Sequence, residues 1–149
     1  IAWYETAGIG VEGGAIHEAG ISTLARGKLG PALNPGHLVG LDEWMHSPIR
    51  PGSSERLVSG MPFQVDIIPV PMPNGVTLNC EDAVTLADAG LRATIAERYP
   101  ALAARFAGRR RFVANELGVE VKGDILLLSA IPLCLPPFWL APQKLLVRN

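Results

Sequence analysis

The spacing of apolar residues predicts that the first part of the chain is helical. Residues 2–27 have apolar positions at helical intervals, which the glycine-rich stretch GIGVEGG interrupts. An approximate apolar stripe continues between Ile16 and Leu24. Gly27 and Gly30 predict the end of this segment, because glycine commonly follows the last turn of a helix. We therefore expect two helices joined by a loop.

The middle of the chain has a different pattern, which is typical of short strands. In residues 31–87, apolar runs such as FQVDII and AVTL are separated by Pro, Gly, Ser and Asn. Alternation in FQVDII puts Phe63 and Val65 on one face of a strand, and Gln64 and Asp66 on the other. A carboxylate on a mostly apolar strand is costly unless it is hydrogen-bonded, paired or bound to a cation. Asp66 is therefore a candidate functional residue.

The third part, residues 88–117, again has helical spacing. Pro100 divides it into two helices, since proline suits a first helical turn, and Gly118 follows its end. The second helix has a core-facing stripe formed by Leu102, Phe106, Phe112, Val113 and Leu117. Its basic run, Arg109–Arg111, is interpreted as a solvated helix face. The three parts together predict an α+β fold with a mainly antiparallel sheet.

Composition indicates one packed domain without nucleic-acid or membrane partners. The chain has 149 residues, of which 48% are hydrophobic and 18% charged. A net charge of -1 gives no general attraction to nucleic acid or to an anionic membrane. The most apolar stretch, residues 125–141, contains Pro132, Pro136 and Pro137, which would break a membrane-spanning helix. We expect an extended segment packed on a surface there, or an interface.

The two cysteines bear on the compartment. Cys80 and Cys134 lie in apolar surroundings, and the N-terminus has no signal-peptide pattern. Two reduced, buried thiols predict a cytoplasmic protein, while a disulfide between them remains the alternative.

Three separated stretches each offer one side chain that binds divalent metals. They are His37 in NPGHLVGLDEW, Asp66 in MPFQVDIIP and Glu81 in NCEDAV. A neutral imidazole and carboxylates suit Zn, Mn, Fe or Co, and two such ions close together activate a water molecule. Each residue alone also has a purely structural interpretation, as a hydrogen-bonded side chain or a polar start of a strand.

The same stretches form four motifs in a recognisable order. The motifs are Gly36-His37 followed by Gly40-Leu41, His46 with Pro48, Gly60-Met61 through Phe63 to Asp66, and Glu81-Asp82-Ala83-Val84. Over residues 2–90 their order and spacing resemble the closing part of the superfamily of methionine aminopeptidases, Xaa-Pro aminopeptidases, prolidases and creatinases. The Xaa-Pro aminopeptidase branch is the most similar. The resemblance implies that residues 1–149 form the C-terminal part of a pita-bread fold, a curved and mainly antiparallel sheet backed by helices.

The resemblance also implies roles for individual residues. His37, Asp66 and Glu81 would bind two divalent metal ions (Mn, Zn, Co or Fe), and Glu81 would bridge them. Asp66 stands where the family usually has Glu, and it would also accept a proton from the attacking water. His46 would bind or polarise the substrate carbonyl, although an ungapped alignment puts Trp44 at that position. The implied substrate is a peptide with proline as its second residue.

Other features of the resemblance leave further interpretations open. The family's two remaining aspartate ligands match nothing in this chain, so we expect them upstream of residue 1 and expect the chain alone to be inactive. One alternative is a creatinase-like C–N hydrolase of a small molecule. Another is a metal-free pita-bread scaffold or binding protein, which Asp66 and the shifted His46 favour. A homodimer, common in the family, is compatible with each interpretation.

Overall fold

The computed structural model describes residues 1–40, 45–74 and 78–128, and residues 143, 144 and 147. Over these residues the chain folds into helices and two antiparallel sheets. The helices are α1 (Ala2–Thr6), α2 (Gly13–Arg26), α3 (Ala89–Arg98) and α4 (Pro100–Asn115). The strands are β1 (Gly30–Pro31), β2 (His37–Leu38), β3 (Pro62–Ile67), β4 (Pro69–Val70), β5 (Cys80–Leu86) and β6 (Ile125–Leu127). The predicted α+β class is confirmed.

The helix boundaries follow from local chemistry. Before α3, the Asp88 carboxylate accepts a hydrogen bond from the backbone N–H of Leu91 at 2.8 Å, which satisfies a donor that the first helical turn leaves free. Pro100 then begins α4, as predicted, because proline needs no hydrogen-bond acceptor there. At the other end of the chain, a Cβ on Gly13 would lie 1.9 Å from the Pro48 carbonyl oxygen, so α2 begins in contact with that backbone.

The larger sheet has the strand order β2-β3-β5-β6. All its neighbouring strands are antiparallel, and β1 and β4 form a separate two-stranded sheet. In the longest pairing, β3 and β5 are matched over six residues, from Pro62 opposite Thr85 to Ile67 opposite Cys80. This pairing is the centre of the larger sheet, because each strand of the pair has a neighbour on its other side.

One face of the larger sheet packs against the main core, and we call it the core face. It contributes Phe63 and Val65 from β3 and Val84 and Leu86 from β5. The alternation predicted for FQVDII is confirmed for Phe63 and Val65, which are 0% and 3% exposed. The residues that pack against this face come from the helices and loops: Trp3, Tyr4, Ala7, Ile16, Ile49, Leu57, Val113, Leu117 and Val119.

A second, smaller cluster lies between β6 and the α3–α4 pair. It consists of Ala87, Phe106 and Leu126, with partly buried apolar neighbours from both helices. In the part of the chain that the structure describes, no helix is both long and apolar enough to cross a membrane. The predicted extended segment after Leu128 and the cysteine Cys134 lie outside the described residues.

Candidate functional site

The strand register brings the three predicted ligands to one face of the larger sheet, which we call the site face. His37 on β2 lies opposite Gln64 on β3, and Asp66 lies opposite Glu81 on β5. Residues opposite each other in a ladder point to the same face, as do residues two apart on one strand. His37, Gln64, Asp66 and Glu81 therefore share the face opposite to the main core.

His37 and Asp66 come into direct proximity on this face. The His37 Nε2 and Asp66 Oδ2 atoms are 4.0 Å apart, and both residues are 8% exposed. The other ring nitrogen, Nδ1, lies 3.0 Å from the Leu38 carbonyl oxygen. In the tautomer whose Nδ1–H donates to that carbonyl, Nε2 keeps its lone pair for a ligand. This arrangement is the one that metal-binding histidines commonly adopt.

The Asp66 carboxylate is buried and lies near a second negative charge, that of Glu81. Its Oδ1 atom is buried and has no hydrogen-bond partner among the described residues. Burial raises the pKa of this carboxyl above its ordinary value, and the negative charge of Glu81 raises it further, while His37 opposes the change. A buried carboxylate oxygen without a donor is an exception in folded proteins. A cation at this position would remove the exception.

Glu81 differs from His37 and Asp66 because it is not buried. Its side chain is exposed, and amide groups hold both carboxylate oxygens: Gln64 Nε2 donates to Oε2 at 3.2 Å and Asn79 Nδ2 donates to Oε1 at 3.1 Å. Within the described ranges, no group of three or more His, Cys, Asp and Glu side chains is close enough to hold a metal ion. The structure thus brings two predicted ligands together and puts the third opposite Asp66, on the same face.

A cavity of about 280 Å³ opens beside the His37–Asp66 pair. Its lining consists of Leu33, Asn34, Gly36, His37, Met45 and Asp66. Gly36 is required here, because its φ is +131° and a Cβ would lie 2.9 Å from the Gln64 carbonyl oxygen. This close approach of backbone to backbone lets His37 sit against β3.

His46 lies in the loop that follows β2. Its side chain is exposed, and the cavity lining includes its neighbour Met45 and not His46 itself. Its backbone carbonyl accepts a hydrogen bond from the Leu38 N–H at 3.1 Å, which ties this loop to β2. Trp44, the other candidate for the same role, lies outside the described residues.

Two sets of residues near the site were not singled out from the sequence. Gln64 and Asn79 orient Glu81, and the alternation of FQVDII already put Gln64 on the face of Asp66. On the opposite face, the Tyr4 hydroxyl donates to Asp82 Oδ2 at 3.0 Å, although the two residues are 78 positions apart in sequence. Nothing local in the sequence indicates that second contact.

Comparisons with known protein families, with curated proteins and with solved structures found no match to this chain.

Proposed function

We propose that this chain supplies part of a divalent-metal site in a hydrolase of the Xaa-Pro aminopeptidase type. The observation that carries the proposal is the His37–Asp66 pair, in which a buried carboxylate oxygen has no donor among the described residues. A structural His–Asp contact normally satisfies its buried atoms. The sequence resemblance adds the class of reaction, and the structure adds this reason to expect a cation.

The donor set fits transition-metal ions. Ligand atoms at about 2.0–2.2 Å from an ion in a tetrahedral site lie about 3.4 Å apart. His37 Nε2 and Asp66 Oδ2 are 4.0 Å apart, so the two side chains would move slightly closer together to hold one ion. Imidazole and carboxylate suit Mn, Zn, Co and Fe. Two such ions would lower the pKa of a bound water and polarise the substrate carbonyl.

The chain's own residues would orient these groups. His37 would coordinate through Nε2, with Nδ1 fixed by the Leu38 carbonyl. Asp66 would be both ligand and proton acceptor. Glu81 would reach the site from the adjacent strand, after exchanging a hydrogen bond from Gln64 or Asn79 for a metal bond. The proposed role of His46 needs a substrate that extends from the cavity to the loop after β2.

The cavity supports a substrate with an apolar group. Leu33 and Met45 line it and are 46% and 73% exposed, so a bound residue such as proline would cover apolar surface there. The proposal also includes two further aspartate ligands, which residues 1–149 do not supply. A homodimer and a cytoplasmic location remain predictions from the sequence.

One observation favours a second candidate, a metal-free scaffold or binding protein with the same fold. Glu81 is already hydrogen-bonded through both oxygens, and a scaffold requires nothing more of it. Against this candidate stands the buried Oδ1 of Asp66, which has no hydrogen-bond partner among the described residues, a state that it shares with Asp124 Oδ1.

The deciding experiment uses the complete protein that carries this sequence. Metal content is measured by mass spectrometry, and hydrolysis is assayed with Xaa-Pro peptides and with creatine. We expect bound transition metal and cleavage of the peptides. His37→Ala should lower kcat/KM more than about a hundredfold, since it removes a ligand and even residues that support ligands cost tenfold or more. His17→Ala, on α2, is the matched control and should leave both measurements unchanged.

The outcomes separate the candidates. Cleavage of creatine without cleavage of the peptides would identify the small-molecule hydrolase. Purification without stoichiometric metal, together with no loss of any activity in His37→Ala, would refute a metal-dependent hydrolase and support the scaffold.

A further inference from the structure

The short helix α1 presses two aromatic side chains against the core face, directly behind the candidate site. Tyr4 and Trp3 are 1% and 2% exposed. The Tyr4 hydroxyl donates a hydrogen bond of 3.0 Å to the Asp82 carboxylate, which is itself in a residue only 5% exposed. Burial raises the pKa of Tyr4 far above its ordinary value, and the Asp82 charge raises it further. The phenol therefore stays a donor to Asp82 across the whole working pH range.

The position of Asp82 on β5 links this contact to the site. Asp82 is adjacent to Glu81, and side chains of adjacent residues in a strand point to opposite faces. Opposite them on β3, Val65 faces Asp82 and Asp66 faces Glu81. A shift of β5 by one residue would exchange the two faces and remove Glu81 from the side of Asp66. The Tyr4 hydroxyl donates to Asp82 in the observed register, so a shift that moves Asp82 to the other face would break this hydrogen bond.

Trp3 makes the corresponding contact behind His37. A Cβ on Gly36, the residue before His37, would lie 3.2 Å from Trp3 Nε1. The Trp3 ring also packs edge-on against Phe63 of β3, with ring centroids 6.2 Å apart. Consecutive residues of α1 thus contact Gly36 on one side of β3 and the Asp82 side chain of β5 on the other.

We infer that Tyr4 is a positioning residue: through its hydrogen bond to Asp82 it holds Glu81 at the level of Asp66 on the site face. This role rests on the proposed function, since it concerns how a metal ligand is presented. The alternative is that the Tyr4–Asp82 bond only stabilises the fold. The two interpretations predict different results. If the Tyr4–Asp82 bond only stabilises the fold, its removal should affect Glu81 no more than removal of another core contact of equal strength.

The test compares Tyr4→Phe with two control variants and with Asp82→Asn. Tyr4→Phe removes the hydroxyl and keeps the ring. Val113→Ala is the control matched for loss of stability, because it truncates a fully buried core residue on α4. Tyr99→Phe is the control for the chemical change, since Tyr99 is 55% exposed. Urea unfolding first establishes how much stability each variant has lost.

Two measurements report on the position of the Glu81 side chain. The first is the NMR signals of the side-chain amides of Gln64 and Asn79, which donate to the Glu81 carboxylate and need no metal. The second is Co²⁺ affinity, measured by NMR titration, which also works for weak binding. We expect Tyr4→Phe to shift both amide signals and to weaken Co²⁺ binding about tenfold or more. Val113→Ala and Tyr99→Phe should do neither. Asp82→Asn, which keeps a hydrogen-bonding group opposite Tyr4, should lose less affinity than Tyr4→Phe.

The readouts distinguish failure of this inference from failure of the proposed function. If Tyr4→Phe moves the two amide signals no more than Val113→Ala does, Tyr4 is not a positioning residue. If the complete protein without substitutions binds no Co²⁺, the proposed metal site is refuted, and the amide signals alone then decide whether Tyr4 positions Glu81.

Discussion

The buried carboxylates on the two faces of the β3–β5 pair differ in their hydrogen bonding. On the core face, Asp82 is 5% exposed and accepts hydrogen bonds from the Tyr4 hydroxyl and from the Ala83 N–H. On the site face, Asp66 is 8% exposed and its Oδ1 has no donor among the described residues. Equal burial with unequal hydrogen bonding indicates that the two acids serve different purposes. Asp82 is tied into the fold by both contacts, whereas Asp66 is the acid to which the proposed function assigns a cation.

The buried Asp66 Oδ1, which has no donor among the described residues, is expected to lower the stability of the fold. A buried polar group without a partner destabilises a protein by about 1–3 kcal/mol, which is a sizeable part of the total stability of a small domain. An unsatisfied carboxylate on the site face is therefore unfavourable for folding alone. The comparison predicts that changes on the core face destabilise the protein and that some changes on the site face stabilise it.

The largest expected loss of stability comes from truncation of an apolar side chain on the core face. Phe63→Ala on the core face should cost about 3–5 kcal/mol, because it removes a fully buried ring and leaves a cavity. Gln64→Ala, its neighbour on the site face, should cost less than about 1 kcal/mol. Urea unfolding at neutral pH measures both. Similar losses for the two variants would mean that the faces do not differ as described.

Tyr4→Phe should have the next largest effect on stability. The hydroxyl donates to a buried carboxylate, and hydrogen bonds to charged groups contribute about 1.5–3 kcal/mol. Tyr99→Phe, at an exposed position, should change the free energy of unfolding by less than about 0.5 kcal/mol. If Tyr4→Phe and Tyr99→Phe change the free energy of unfolding by the same small amount in chemical denaturation, Asp82 has found another donor.

Asp66→Asn should stabilise the protein at neutral pH. Burial and the Glu81 charge raise the pKa of Asp66 in the folded chain above its ordinary value of 3.8. The acid therefore favours folding below that value and disfavours it as pH rises through the folded-state pKa. The gain in Asp66→Asn should be largest at neutral pH in metal-free buffer and should disappear near pH 3. Glu97→Gln, on an exposed face of α3, is the control. A loss of stability at neutral pH in Asp66→Asn would contradict this sign.

Asp88→Ala should give the smallest effect, with the opposite pH dependence. The Leu91 N–H, and then the Ser59 hydroxyl, lower the pKa of this exposed carboxyl below its ordinary value. Its stabilising contribution is present at neutral pH and is lost as pH falls through the lowered pKa. Asp88→Ala should lower Tm at neutral pH, by less than Tyr4→Phe does, and the difference should fade in acid. Thermal unfolding at several pH values checks the trend, which a constant difference at all pH values would contradict.

Much of the fold and part of the site follow from sequence patterns. Alternation in FQVDII placed Asp66 opposite to Phe63 and Val65, and Pro100 and Gly27 marked helix ends correctly. The pita-bread assignment stays a prediction. Local patterns gave the direction in which side chains point, because that direction depends only on the strand period.

The parts that sequence patterns missed depend on distant residues. The Tyr4–Asp82 bond joins the first helix to β5, and the amide bonds of Glu81 depend on the register between two strands. The interpretation of Arg109–Arg111 as a solvated face is wrong for Arg109, whose Nε and Nη2 atoms are buried, and also for Arg110. The Arg110 guanidinium is half-buried and donates to the carbonyl oxygens of Val121 and Ile125, contacts that arise only once β6 has packed beside α4. Burial lowers the pKa of that group.

The most direct test of a cation site on the site face is a Zn²⁺ titration of the ¹⁵N-labelled complete protein, followed through the ring nitrogens of its histidines. Zn²⁺ should shift the Nε2 signal of His37 selectively, leave His17 unchanged, and bind at least about tenfold more weakly in Asp66→Ala. If the His37 nitrogens do not respond, or respond equally in Asp66→Ala, then the buried carboxylate does not bind a metal together with His37.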